Sequence, residues 1–295
     1  MNAKVGYRMS SRAERATKAV VGDVEIISLW DGTLSANLDT IRNLDPAEAQ
    51  RLIDNAASAT GADPLVLPVR AFLLRTADRL ALVDAGSGMT KGPTMGHLPA
   101  SLAAIGAPPE AIDAVLLTHL HMDHIGGLTD DRGRPVFPNA ELVLHSKEAE
   151  FFLDTPLDRL DERSARHVAV QRAIVGAYGT RVRRVDDGEG FPAISARLAP
   201  GHTPGHSTWR IGPPEAGAVV LGDVVHLAAI QLPRPLVPMI YDVDPDRAGR
   251  TRVALLEEIS RTGMLVAGAH LPAPGIGHIA KKGDAFVFTP YRPRG

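Results

Sequence analysis

Five short apolar runs in this chain end alike, each delivering a histidine or an aspartate at or just past its carboxyl end. They are LALVDAG (80–86), IDAVLLTH (112–119), ELVLHS (141–146), AVVLGD (218–223) and MLVAGAH (264–270). Runs of this length, rich in branched apolar residues and closed by turn residues, read as strands buried on both faces. A strand with two apolar faces needs cover on both sides, and helical segments lie between the runs. The order points to an α/β sandwich, two sheets packed together and covered by helices.

The remaining segments fill in that plan. VEIISLWDG (24–32) reads as a strand closing in a turn at Asp31-Gly32, and AFLLRT (71–76) forms a hairpin with LALVDAG, whose strand ends at Asp84. DPAEAQRLIDNAA (45–57) is a helix with Asp45 as N-cap, Pro46 at its first position and Glu48 at the capping-box position. Further helices are expected over about 97–105, over a charged stretch from 148 to 178 carrying Arg159, Glu162, Arg166 and Arg172, and near 246–262 with Leu255 and Ile259 on one face. The start, MNAKVGYRMSSRAERATKAV, is basic and polar with scattered apolar residues. It reads as an exposed arm over 1–21, followed by one domain over 22–295. With no apolar h-region it is not a secretory signal as written, which places the chain in the cytoplasm. A signal removed before residue 1 would instead place it in the periplasm or outside the cell.

Composition removes several classes of function. The 32 basic residues nearly cancel the 34 acidic ones, for a net charge of −2, so there is no field for nucleic acid or anionic lipid. Aromatic residues make up 4%, too few for base-stacking platforms. No apolar run reaches the length of a membrane span. The absence of cysteine excludes disulfides, thiolate ligands and a cysteine nucleophile.

The stretch THLHMDHIGG (118–127) sets three histidines and an aspartate within six positions after a buried strand. Imidazole and carboxylate are the donors that zinc and its neighbours accept where no thiolate exists. His119 and His121, two apart in extended backbone, point to one side. Asp123 and His124 follow in the turn toward a second position, and Gly126 and Gly127 let the chain turn before a helix. Further donors stand at strand ends: His202 in APGHTPGHS, Asp223 in VVLGDVV and His270 in VAGAHLP. His119, His121 and His202 would hold one divalent cation and Asp123, His124 and His270 another, with Asp223 bridging. Zinc is expected first, and manganese, cobalt or iron would accept the same donors. By contrast His167, on a charged helix, reads as a surface residue, and His97 and His145 as structural.

THLHMDHIGG together with GHTPGH, LGD and GAH resembles the metallo-β-lactamase superfamily, over about residues 22–290. GYRM near the start, DAGSGMTKGPTMGHLPASLAAIG (84–106), FPNAELVLHSKEAEFF (137–152) and HLPAPGIGHI (270–279) are similar to its methyl parathion hydrolase-like branch, which includes aryl-lactone and acyl-homoserine-lactone hydrolases. The resemblance implies an αββα sandwich of mixed sheets, a dinuclear site along its edge using the seven residues above, and a homodimer. It also implies that Asp84 orients a ligand histidine, although a strand-end cap is the alternative, and that His206 is a hydrogen-bonding residue beside the site.

Two divalent cations lower the pKa of the water between them, so hydroxide exists near neutral pH, and they polarise a carbonyl or phosphoryl oxygen. The expectation is a hydrolase of small-molecule lactones and aryl esters, with organophosphate triester hydrolysis as a side activity and Asp123, Asp223 and His226 in catalysis. His226 stands three positions after Asp223, where related lactonases carry a tyrosine that donates to the substrate carbonyl. A histidine there can donate to an oxyanion or simply pack beside the metals. Phe152, Leu227, Ile230 and Leu232 would shape the substrate pocket or belong to the core. A dedicated organophosphate hydrolase and a glyoxalase II-type thioesterase are the alternatives. The second ranks low because KKGDAFVFTPYRPRG reads as a final strand and tail, without an added helical domain.

Overall fold

Alternation along the strands decides the architecture. In β3 (Val66–Arg75), Phe72 and Leu74 face one apolar layer while Ala71 and Leu73 face another, as the two-residue period of a strand requires. Such a strand is stable only between two covering layers. The computed structural model describes residues 16–88, 92 and 94–293, and it provides those layers as two seven-stranded sheets. GYRM, most of the N-terminal arm, and positions 89–91 and 93 of the DAGSGMTKGPTMGHL stretch lie outside the described residues.

The first sheet runs in sequence order through β1 (Ala16–Val21), β2 (Val24–Ser35), β3, β4 (Leu80–Val83), β5 (Ala114–Leu116), β6 (Glu141–His145) and β7 (Val182–Val185). It is antiparallel from β1 to β4 and parallel from β4 to β7. The second comprises β8 (Gly190–Phe191), β9 (Ile194–Leu198), β10 (Ser207–Ile211), β11 (Ala218–Val220), β12 (Leu265–Ala267), β13 (Ile276–Lys282) and β14 (Ala285–Pro290), also in order, with β11 and β12 parallel.

Between the sheets lie Ile26, Phe72, Val83, Leu116 and Val143 of the first and Trp209, Ile211, Val220, Ala267 and Ile276 of the second. α1 (Pro46–Thr60) packs through Ala49 and Ile53 on a cluster with Leu227, Ile230 and Met239. α2 (Leu98–Ala104) covers the outer face of the first sheet. α3 (Met122–Ile125) and α4 (Ser146–Ala149) are single turns, and α5 (Glu162–Gly176) extends the outer cover through Val168, Ile174 and Val175. After the one-turn α6 (Ala228–Gln231), α7 (Pro245–Thr262) lays Leu255, Leu256 and Ile259 on the outer face of the second sheet. The expected αββα sandwich is the observed fold. No helix of the described residues is long and apolar enough to cross a membrane.

Three local expectations change. Ala16–Val21, assigned to the arm, pair antiparallel with β2 and bury Ala19, so the sheet starts six residues before the expected boundary. A hydrogen-bonded edge strand needs only one buried side, which scattered apolar residues satisfy. The turn expected at Asp31-Gly32 is a bulge instead: β2 runs on to Ser35, with the register shifting between Trp30 and Gly32. There the buried carboxylate of Asp31 accepts from the backbone N–H of Ser87 (2.9 Å) and Leu98 (3.0 Å), anchoring the loop that follows β4 and the start of α2. The long helix over 148–178 is broken. α4 continues into a π turn at Glu150–Asp154, and α5 starts afresh with Asp161 as N-cap. Pro156 disfavours helical backbone at the residue before it, and Arg172 of α5 donates to the Phe152 carbonyl at 2.7 Å.

The local helix signals appear as read: the Asp45 side chain accepts from Glu48 N–H at 3.0 Å, with Pro46 opening α1. Asp31→Ala leaves two buried N–H donors without an acceptor, at about 1–3 kcal/mol each. Denaturant titration should show a loss of roughly 2–6 kcal/mol with an unchanged m-value. A loss within 0.5 kcal/mol would show that water replaces the carboxylate.

Candidate metal centre

The carboxyl ends of β4, β5, β11 and β12 open onto one edge of the sandwich, and Ser207 N–H donates to the Thr118 carbonyl across the two sheets there at 2.8 Å. β5 delivers His119 and His121 in extended backbone, and α3 follows at once, carrying Asp123 and His124 in its single turn. The helix therefore precedes Gly126 and Gly127 rather than following them. Gly127 serves close approach: a Cβ there would sit 2.0 Å from the Ala85 carbonyl oxygen.

All seven residues singled out as ligands converge. His119, His121, His202 and Asp223 form one group, and Asp123, His124, Asp223 and His270 a second, the donor atoms of each lying within 4.8 Å of one another. Asp223 is the member common to both, and its two oxygens divide between them. Oδ2 lies 3.6 Å from His119 Nε2 and 3.4 Å from His202 Nε2, whereas Oδ1 lies 3.0 Å from His124 Nε2 and 3.2 Å from His270 Nε2. Asp123 Oδ2 completes the second group at 3.7 Å from His124 and 3.6 Å from His270.

The donor chemistry fits a divalent cation in each group. Burial, reinforced by neighbouring histidines, drives the pKa of His119 and His202 far down and that of His121 to about 4, so these rings are neutral at pH 7. His202 gives its Nδ1 hydrogen to Asp242 at 3.0 Å, and His119 Nδ1 lies 3.1 Å from Thr118 Oγ1. Their bare Nε2 atoms then face each other at 3.2 Å, an arrangement of lone pairs that a cation resolves. In the second group His124 Nε2 and Asp223 Oδ1 are buried and neither makes a hydrogen bond, although they stand 3.0 Å apart. Burial there lowers the His124 pKa, but Asp223, Asp84 and Asp123 together raise it well above the usual value, and His270 is also raised. This position gathers positive charge, and a metal ion would displace protons from it.

Outer contacts hold the rings. Asp84 accepts the Nδ1 hydrogen of His124 at 2.8 Å, and from Thr118 both N–H and Oγ1–H at 2.8 Å each. Its φ of 58° is left-handed, a conformation that aspartate tolerates better than most residues. His270 Nδ1 donates to the Pro68 carbonyl at 2.7 Å. His206 donates from Nδ1 to the Ala199 carbonyl at 3.1 Å and accepts from Asp223 N–H at Nε2, 2.9 Å, which sets the backbone at the shared carboxylate. Two residues went unnoticed in the sequence. Asp242 orients His202, and Glu148 accepts from Leu120 N–H (2.9 Å), Thr203 Oγ1–H (2.7 Å) and Gly205 N–H (3.1 Å), tying the two ligand-bearing loops together. Both act over long sequence separations, and no spacing marks them.

The other candidates separate. His226 lies beside the centre, but its Nε2 faces Asp223 Oδ2 at 2.9 Å and its Nδ1 is buried without a partner. Phe152, on the π turn, sets its ring edge-on to His121 at 6.2 Å. Leu227, Ile230 and Leu232 are instead buried in apolar clusters under α1 and α7, because the turn of α6 aims them inward. His145 caps α4 through Lys147 N–H, His97 stacks on Trp30, and His167 is exposed.

The sequence model described as the metallo-beta-lactamase superfamily matches residues 64–270. Among curated proteins, an N-acyl homoserine lactonase from Bacillus sp is 26% identical over 56% of this chain and 66% of its own length. Ribonuclease TTHA0252 of Thermus thermophilus is 30% identical over 59% of this chain but 39% of its own, and the uncharacterized protein YobT of Bacillus subtilis is 26% identical over 56% of this chain and 65% of its own. The chain thus spans under two thirds of the length of these relatives. Two solved structures cover 95% of the chain and 98% of their own, each with a TM-score of 0.86: the hydrolase AbOPH at 27% identity, and AidC, a dizinc quorum-quenching lactonase bound to a product, at 25%.

Asp84→Ala frees the His124 ring and should weaken binding of one of two zinc ions about 10–100-fold, read by metal analysis after dialysis against buffered chelator. Full retention of both ions would assign Asp84 to strand capping alone. Burial also holds Glu148 at about 7 against 4.5 for a free glutamate. The folded state binds that proton more tightly than the unfolded state. The resulting stabilisation is complete below about pH 4.5 and is lost as pH rises to about 7, some 3 kcal/mol in all. In chelator, the native chain should lose about that much more stability across this window than Glu148→Gln, and parallel curves would contradict it.

Proposed function

The chain belongs to the metallo-β-lactamase superfamily, and from that premise we propose that it is a dinuclear metal-dependent hydrolase of lactones and aryl esters. The observation that carries the reading is the division of Asp223, whose two buried oxygens each face a separate His/Asp group. Its likeness to AidC and to N-acyl homoserine lactonases supports lactones as the substrate class. An organophosphate triester would be a secondary substrate.

When bound, two divalent cations supply a water deprotonated near neutral pH and Lewis-acid polarisation of the substrate carbonyl. The chain's own residues do the rest. His119, His121 and His202 present neutral nitrogens from one side, and Asp123 a carboxylate oxygen beside the ring nitrogens of His124 and His270 from the other, with Asp223 setting the spacing between them. Water oxygen bonds to the carbonyl carbon, the ester C–O bond breaks, and the departing oxygen takes up a proton. Asp123 is the carboxylate of the centre with the greatest exposure, 13% against 3% for Asp223, and so is placed to carry that proton between solvent and the leaving oxygen. His226 holds Asp223 Oδ2, and it can turn its N–H to a substrate oxygen once that carboxylate is engaged elsewhere. Phe152 bounds the His121 side with an apolar ring.

A panel on the zinc-loaded protein tests the reading: an aryl lactone such as dihydrocoumarin, an acyl-homoserine lactone and an organophosphate triester. The better lactone should lead in kcat/KM by about a hundredfold, roughly 2.7 kcal/mol of transition-state preference. A leading triester would assign the chain to organophosphate hydrolysis, and no turnover of any of the three would remove the hydrolase reading for these classes.

A further inference from the structure

The segment joining α6 to α7 forms a rim beside the centre. Ile240, Tyr241 and Val243 are exposed on it at 44%, 44% and 51%, and the Tyr241 ring lies 6.1 Å from that of His226. Asp242, in the midst of these three, points the other way and is buried. Its oxygens are spent on different partners: Oδ1 accepts the Nδ1 hydrogen of His202 at 3.0 Å, while Oδ2 accepts Met239 N–H of the rim itself at 2.9 Å. Arg252, fully buried on α7, stands 3.7 Å from Oδ2 and donates to the carbonyls of Val224 (2.6 Å), Pro235 (2.7 Å) and Val237 (3.0 Å). Val243 N–H and Asp244 N–H donate to the carbonyls of His202 and Gly201 at 3.0 and 2.9 Å. The rim is therefore fastened to the segment bearing one ligand ring, and by a single carboxylate to that ring.

We propose that Asp242 is a positioning residue that couples a cation held by His119, His121 and His202 to the order of rim 236–243, so that the apolar surface of Ile240, Tyr241 and Val243 is set for a substrate's acyl or aryl group when the metal is in place. A cation held at His202 would draw electron density from the ring and strengthen the Nδ1 donation to Asp242. By linkage, whatever orders the rim tightens the metal to the same degree. The inference rests on the metal reading of the site and not on the choice of lactones as substrates.

Hydrogen exchange on the full chain, zinc-loaded and chelated, tests it. In the native protein, chelation should speed exchange of the Met239, Val243 and Asp244 amides by about tenfold or more and leave β3 unchanged. Asp242→Asn puts an N–H against one of the two donors. It should weaken zinc binding about 10–100-fold in chelator competition, with rim amides fast in both states. Zinc-independent exchange in a native chain that holds zinc overturns the coupling, as does Asp242→Asn with native affinity and a zinc-sensitive rim. Should that variant not fold, the native pair of measurements decides alone. A native chain that takes up no zinc overturns the metal reading itself, a result distinct from an unresponsive rim.

Discussion

The buried negative charge of Asp223 is the constraint around which the centre is built. A carboxylate removed from water costs several kcal/mol unless positive charge or hydrogen bonds meet it. Burial alone would raise its pKa. His124, His226, His270 and His119 more than reverse that and hold it well below the usual carboxylate range. His206 fixes its backbone, and Gly222 admits the approach, since a Cβ there would sit 2.6 Å from His206 Nε2. The strand ends, the glycine turn and the surrounding rings all serve one carboxylate with two faces.

The rings around it divide by electrostatics rather than by residue type. His119 and His202 are held neutral by desolvation and by neighbouring histidines, which outweigh Asp223, whereas His124, enclosed by Asp223, Asp84 and Asp123, favours the charged form. Two positions of unequal character result. One is built mainly of neutral nitrogens and the other is richer in carboxylate, so unequal affinities for metal are expected from the protein side alone.

The sequence displayed what is local or periodic. Asp45, Pro46 and Glu48 announce α1 because capping is decided within four residues, and THLHMDH announces a centre because its spacing after a strand is rarely met otherwise. Apolar runs ending in polar residues were enough for two packed sheets covered by helices, which the two seven-stranded sheets bear out. What stayed hidden depends on distant partners. Glu148 sits in SKEAEFF among other charges, and Asp242 in YDVDPD among other aspartates. Nothing nearby says which one turns inward. Leu227, Ile230 and Leu232 were ambiguous for the opposite reason, since an apolar residue near a site and one beneath it look the same until the direction of α6 is known. The bulge at Asp31 was misread because a turn and a bulge share the same Asp-Gly signal.

The division of donors between the sheets has a topological consequence. His119 and His121 come from the first sheet and His202 from the second, 83 and 81 positions apart in sequence. A cation bound to all three would close a chain loop of that size, as a cross-link does in cysteine-rich proteins. In a chain that has no cysteine, such ions would act as reversible staples between the halves of the sandwich. Resistance to unfolding would then follow the free-metal concentration of the surroundings.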